Sequence, residues 1–283
     1  MIYSPILAIT EENEPRAGMP FEESFIQSVN GVQIHVWIVW ASAYFDSRTT
    51  STIVFCHSNA GNMGKHLNRA VLLAAETCSN VVLWDYRGYG SSTGSPSEKG
   101  IRADAIALSR WLVARGDIDT RKVFWDGVSF GGAVAAHAVA DTLNDTNASP
   151  SAGLILENTF TSILDMAIAP ILSPVKMLAS PLVRDKWDTA SIASLLGSSV
   201  PTLFISSSND WKVWPHHMKK LHQTFTSAHV TAREALRVDQ RATARDPPKM
   251  HTFRAGHMDI PNKMPGGWAG CIEEFINKTL RNP

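Results

Sequence analysis

Short apolar runs recur along this chain with the spacing of a buried parallel sheet. Ile53-Val54-Phe55-Cys56, Val81-Val82-Leu83-Trp84, Val123-Phe124-Trp125, Leu154-Ile155-Leu156 and Leu203-Phe204-Ile205 lack polar residues, so both faces of each strand must meet protein. The stretches between them are long enough for helices, which predicts alternating strands and helices. The start of the chain reads differently. Phe25 to Val29 and Val32 to Trp40 flank Asn30-Gly31, a turn pair that tolerates positive φ, so the sheet is predicted to open with an antiparallel hairpin. The clearest helix start is Ser95-Pro96-Ser97-Glu98, with a capping serine, proline at the first helical position and glutamate at the third. That helix carries Ile101, Ala105, Leu108 and Leu112 on one face and stops at Gly116. His251-Thr252-Phe253-Arg254 reads as a last strand, and Trp268 to Leu280 as a last helix.

Two regions break the alternation. Ser162 to Leu196 is apolar and interrupted by proline, with Met166, Ile168, Ile171, Leu172, Met177 and Leu178, and predicts short helices laid over the sheet as a lid. Such a segment can cover the sheet, bind substrate, or do both. His229 to Lys249, rich in arginine and ending in Pro247-Pro248, predicts an exposed loop insertion. The expectation is one α/β domain over residues 1–283, its sheet mostly parallel and its helices on both faces.

Composition narrows the functional classes. The chain has 283 residues, 44% of them hydrophobic, with 26 basic and 26 acidic side chains, so nothing points to electrostatic capture of nucleic acid. Cys56, Cys78 and Cys271 are few and far apart, which argues against a disulfide framework or a zinc site and favours a reducing, intracellular setting. Met1 to Ile9 has no basic start and is broken by Pro5, so it reads as neither a signal peptide nor a membrane span.

Chemistry enters at Gly127-Val128-Ser129-Phe130-Gly131-Gly132, a G-x-S-x-G motif between a strand and a small-residue helix. A sharp strand-to-helix turn projects Ser129 outward as a nucleophile and aims the next backbone N–H groups at a developing oxyanion. A serine nucleophile needs a base, and the base needs a carboxylate. Downstream, Asp210 follows the strand Leu203-Phe204-Ile205 and is the candidate acid, though Asn209-Asp210 also fits ordinary turn chemistry. His257 follows the last strand and is the candidate base. His216, His217 and His222 fall on a predicted helix, and His251 lies inside a strand. The oxyanion donors are assigned to the backbone N–H groups of Phe130 and of Asn59, in the loop His57-Ser58-Asn59-Ala60-Gly61-Asn62. His57 is read as holding that loop rather than as a base. No cofactor or metal is called for.

Taken together, these blocks resemble the α/β-hydrolase superfamily, and within it the family of alpha/beta hydrolase domain-containing protein 13 and its fungal bud-emergence relatives. The matching blocks are Met19 to Glu23, His57 to Asn62, Asp85-Tyr86-Arg87-Gly88-Tyr89-Gly90, Pro96 to Glu98, Gly127 to Val134, Glu157 to Ser162, Asp210 with Val213 and Pro215, and Gly256-His257. The resemblance implies a serine hydrolase with the triad Ser129, Asp210 and His257, and structural roles for Asp85 to Gly90 and Glu157 to Phe160. The chain departs from the family at Ser58, where glycine is usual, and at Asp126, Val128 and Met258. Family members often carry an N-terminal membrane anchor that these residues lack, so membrane association is implied by the resemblance only. The expected activity is cleavage of a small-molecule or protein-bound acyl ester or thioester by a monomer. The alternative is a catalytically silent binding or scaffold protein on the same fold, because Ser58 and Asp126 are read as touching the site.

Overall fold

The computed structural model describes residues 3–5, 15, 20–41, 49–167, 183–236 and 245–281. The apolar runs become an eight-stranded sheet. Its strands are β1 (Phe21–Gln27), β2 (Gln33–Val39), β3 (Thr52–Cys56), β4 (Asn80–Trp84), β5 (Val123–Val128), β6 (Ser151–Glu157), β7 (Thr202–Ser207) and β8 (Lys249–Phe253). Across the sheet the order is β8-β7-β6-β5-β3-β4-β2-β1. β3 to β8 run parallel, and β2 is antiparallel to both β4 and β1. The predicted hairpin is present and longer than expected, because pairing continues outward to Phe21 opposite Val39. Its turn uses Asn30 at φ 61 and Gly31 at φ 72, the left-handed conformations that this residue pair tolerates.

The strands point alternate residues into two cores. Val54, Trp84, Trp125, Leu156 and Phe204 face helices α2 (Glu98–Ala114), α3 (Phe130–Thr142), α5 (Thr189–Ser199) and α6 (Pro215–Ala235). Ile53, Phe55, Phe124, Ile155 and Leu203 face α1 (Leu67–Thr77), α7 (Ile260–Lys263) and α8 (Pro265–Arg281). The sheet is therefore covered on both sides, as an all-apolar strand pattern requires.

Three sequence expectations shift. Helix α2 starts two residues later than the Ser95-Pro96 pattern suggests, with Ser97 as the cap accepting the Gly100 N–H at 3.1 Å. The later start puts Glu98 in the first turn, where its Oε2 accepts the N–H groups of Lys186 and Trp187 while Asp185 accepts the Glu98 N–H. The region His229 to Lys249 is not a loop throughout. Its first seven residues continue α6, because Met218, Leu221, Phe225 and His229 keep one face buried to that point, and residues 237–244 lie outside the described set. The expected lid over 162–196 is described only at its ends, α4 (Ile163–Ala167) and α5. Ile168, Ile171, Leu172, Met177 and Leu178 lie outside the described residues. Helix α5 belongs to the flanking layer rather than to a lid, since it packs against α3 and α6 and buries Ala193 and Leu196.

Candidate active site

In a parallel sheet the loops after the strands gather at one edge, and this edge collects the sequence-predicted residues. Ser129 follows β5, Asp210 follows β7 and His257 follows β8. Ser129 sits at φ 56 and ψ −120, a conformation that side-chain-bearing residues rarely hold. Two glycines make the turn sterically possible. A Cβ on Gly127 would lie 2.1 Å from the Gly131 carbonyl oxygen, and one on Gly131 would lie 1.9 Å from the Cys56 carbonyl oxygen. The turn is closed by the Ser129 N–H donating to the Glu157 carbonyl at 2.8 Å, and by the Thr159 hydroxyl donating to the Ser129 carbonyl at 2.7 Å.

The three side chains form one line. His257 Nε2 lies 2.8 Å from Ser129 Oγ, and His257 Nδ1 lies 2.6 Å from Asp210 Oδ2. Asp210 is buried, and its other oxygen accepts the N–H groups of Lys212 and Val213 at 2.9 Å each. That turn fixes the carboxylate so that Oδ2 can face only the imidazole. With Nδ1 held by a carboxylate, Nε2 is left to accept a proton from the serine hydroxyl.

One positioning residue was not singled out by the sequence. Asn158, at φ 44, donates through Nδ2 to the His257 carbonyl at 2.7 Å and to Ser207 Oγ at 2.9 Å, and accepts the Ser207 N–H at 2.7 Å. A single buried amide thus ties the end of the acid strand to the base loop. Its only sequence trace is its place in the block Glu157-Asn158-Thr159, which reads as structural.

The residues assigned to the oxyanion lie in two loops. Phe130 opens α3, where the first N–H groups have no partner inside the helix. Its ring is boxed by Tyr3, Tyr86 and Trp187 at centroid distances of 5.8, 5.7 and 5.1 Å. Trp187 is fully buried and donates through Nε1 to the Tyr3 hydroxyl. In the other loop, Asn59 Oδ1 accepts from the Tyr89 hydroxyl at 2.8 Å, while Ala60-Gly61 pairs in parallel with Ser4-Pro5. His57 is fully buried, donates through Nδ1 to the Ser58 carbonyl at 2.7 Å and stacks on Tyr86. Burial pulls its pKa down to about 4, so it is neutral at physiological pH and holds the loop.

Neither residue read as disturbing the site does so through the triad. Ser58 Oγ lies 3.3 Å from His66 Nε2. Asp126 alternates away to the α1 and α8 face, where the charged groups acting on it are Glu157 and Arg69. Arg69 donates to Glu157 Oε1 and lies over the Phe55 and Trp268 rings, and Trp268 Nε1 donates to Glu157 Oε2. The guanidinium is thus paired with Glu157, and the Asp126 carboxyl feels both charges. Burial first, then the Glu157 charge, pushes the Asp126 carboxyl well above the usual range. Among the described residues no group of His, Cys, Asp and Glu is gathered as a metal centre requires, and no helix is long and apolar enough to cross a membrane. A cavity of about 230 Å³ opens beside the acid loop, between Met166 of α4 and Trp214.

Comparison with known proteins bears on this arrangement. Residues 53–267 match the model of the alpha/beta hydrolase family. The alpha/beta hydrolase domain-containing protein WAV2 of Arabidopsis thaliana is 36% identical over 237 residues, 78% of this chain and 73% of that protein. Protein bem46 of Schizosaccharomyces pombe is 32% identical over 212 residues, 74% of this chain and 68% of that protein. The lysophosphatidylserine lipase ABHD12 of Danio rerio is 34% identical over 158 residues, 50% of this chain and 40% of that protein. The solved Pyrococcus furiosus esterase Pf2001 superimposes with a TM-score of 0.68 at 15% identity, covering 99% of this chain and 98% of the esterase.

Proposed function

The chain belongs to the alpha/beta hydrolase family, and on that premise we propose that it is a serine hydrolase cleaving a carboxylic ester or acyl thioester through an acyl-enzyme on Ser129. The observation that carries this reading is the unbroken line from Asp210 Oδ2 through both nitrogens of His257 to Ser129 Oγ, at 2.6 and 2.8 Å. His257 Nε2 takes the hydroxyl proton as Oγ bonds to the acyl carbon. The carbonyl oxygen becomes an oxyanion held by the N–H groups of Phe130 and Asn59. The imidazolium, held by the Asp210 side chain, then gives its proton to the departing alkoxide or thiolate, leaving the acyl group on Ser129. Water, deprotonated by the same imidazole, attacks the acyl carbon, and as the Oγ–acyl bond breaks the imidazolium returns the proton to Ser129 Oγ, releasing the carboxylic acid. An acyl chain of lipid character is the substrate this reading favours, in keeping with the lipase named among the relatives and with the apolar segment beyond α4.

The test is labelling with a fluorophosphonate, which reacts only with an activated serine. Wild type should label and Ser129→Ala should not, while turnover of p-nitrophenyl esters falls by up to about a million-fold in Ser129→Ala and His257→Ala and less in Asp210→Asn. Equal labelling of wild type and Ser129→Ala would remove this serine from the chemistry.

A further inference from the structure

The turn that aims Asp210 inward also aims two tryptophans outward. Asp210 and Val213 are buried at 5% and 3% exposure, whereas Trp211 and Trp214, on either side of Val213, are 73% and 55% exposed. Trp84, Trp125, Trp187 and Trp268 are completely hidden, Trp37 nearly so, and Trp40 and Trp111 are partly buried. Large apolar rings left in water mark a surface that meets something. The charges beside them are basic. Lys212 Nζ lies 5.5 Å from the Trp211 ring centroid, and exposed Lys219 and Lys220 follow on the first turns of α6. Lys220 stands 4.0 Å from Asp165, while Lys212 and Lys219 have no carboxylate partner among the described residues.

We propose that this face of the acid loop seats on an anionic phospholipid surface. Tryptophan, apolar in its body and polar at its N–H, settles at the headgroup level of a bilayer, and lysines beside it meet the phosphate and carboxylate charges. Other occupants fit less well. A second copy of this chain would place the same lysines against themselves across a two-fold contact, a like-charge juxtaposition that opposes pairing. A single acyl chain needs an enclosed groove, and Trp211 stands out in solvent. The docking itself does not depend on the hydrolase reading.

The experiment is co-sedimentation with vesicles of phosphatidylcholine alone and of equal parts phosphatidylcholine and phosphatidylserine, at low and high salt. Wild type should bind the anionic vesicles, and added salt should weaken that binding. Trp211→Ser with Trp214→Ser should lower it roughly tenfold or more, and Lys212→Gln with Lys219→Gln by about fivefold for each lysine. Both pairs should keep the wild-type circular dichroism. Ser129→Ala should bind as wild type does, which separates this result from any failure of the hydrolase reading. No binding to anionic vesicles, or full binding by the tryptophan pair, overturns the proposal. So does a wild-type dimer in light scattering that the tryptophan substitutions dissolve.

Discussion

At the scale of single residues, the arrangement depends on side chains that do no chemistry. Asn158 is the sharpest case, since its amide bridges the acid strand and the base loop through three hydrogen bonds of 2.7 to 2.9 Å. Asn158→Leu keeps the volume and removes every bond, leaving the His257 carbonyl and the Ser207 N–H buried without partners. We expect a stability loss on the order of 1 to 3 kcal/mol for each orphaned group, read from urea unfolding. The kinetic signature is a fall in kcat of about tenfold to a hundredfold with little change in KM, because geometry rather than substrate contact is lost. A variant whose kcat matches wild type in spite of the lost stability would make Asn158 a purely structural residue.

Among elements, the parts legible in the sequence are those whose signal is local. The five buried parallel strands follow from uninterrupted apolar runs, and the serine turn follows from glycines that nothing else could replace. Asp210 and His257, the candidate acid and base, were brought together with Ser129 because each stands just past the end of a strand, and strand ends share an edge. What escaped depends on distant partners. Ser97 rather than Ser95 caps α2 because Glu98 must also hold Lys186 and Trp187, 88 and 89 residues away. The continuation of α6 through His229 rests on burial against the sheet that an arginine-rich sequence does not advertise. Asp126 looked like part of the site from its place beside Gly127, and only the alternation of strand faces takes it to Arg69. The segment entered through α4 carries the prediction at this scale. Met166 is 42% exposed and borders the cavity beside the acid loop. If acyl chains run along it, each added methylene should raise kcat/KM several-fold, from about 0.8 kcal/mol of burial, until the groove is full. Met166→Asp should flatten that rise. A chain-length profile that peaks at acetyl in both proteins would leave the segment as a cover.

For the molecule as a whole, the buried charges set the response to pH. Burial and the Glu157 charge raise the Asp126 pKa, and burial raises the Asp85 pKa to about 7, whereas an unfolded aspartate ionises at about 4. The folded state therefore binds more protons than the unfolded one above pH about 4. These two groups contribute stability that is complete in acid and is lost as pH rises through their folded values. Asp126→Val should remove this group's part of the pH dependence, with Arg69 still paired to Glu157. The expected gain is on the order of 1 to 4 kcal/mol at pH 8 and little at pH 4, measured by thermal melting across that range. Equal shifts at both pH values would mean that packing, not the proton, governs this position.

The clasp made by Asn158 also has a consequence in time. Ser129 and His257 are 128 residues apart in the chain, His257 and Asp210 are 47 apart, and the amide that joins their loops must reach across 99 residues to the His257 carbonyl. Contacts of such long range close late in folding, after the local helices and the first strand pairs have formed. The expectation is that the site assembles after the local elements, and labelling of Ser129 would report that step. In refolding from urea, fluorophosphonate labelling should recover more slowly than the far-ultraviolet circular dichroism, and Asn158→Leu should widen the interval.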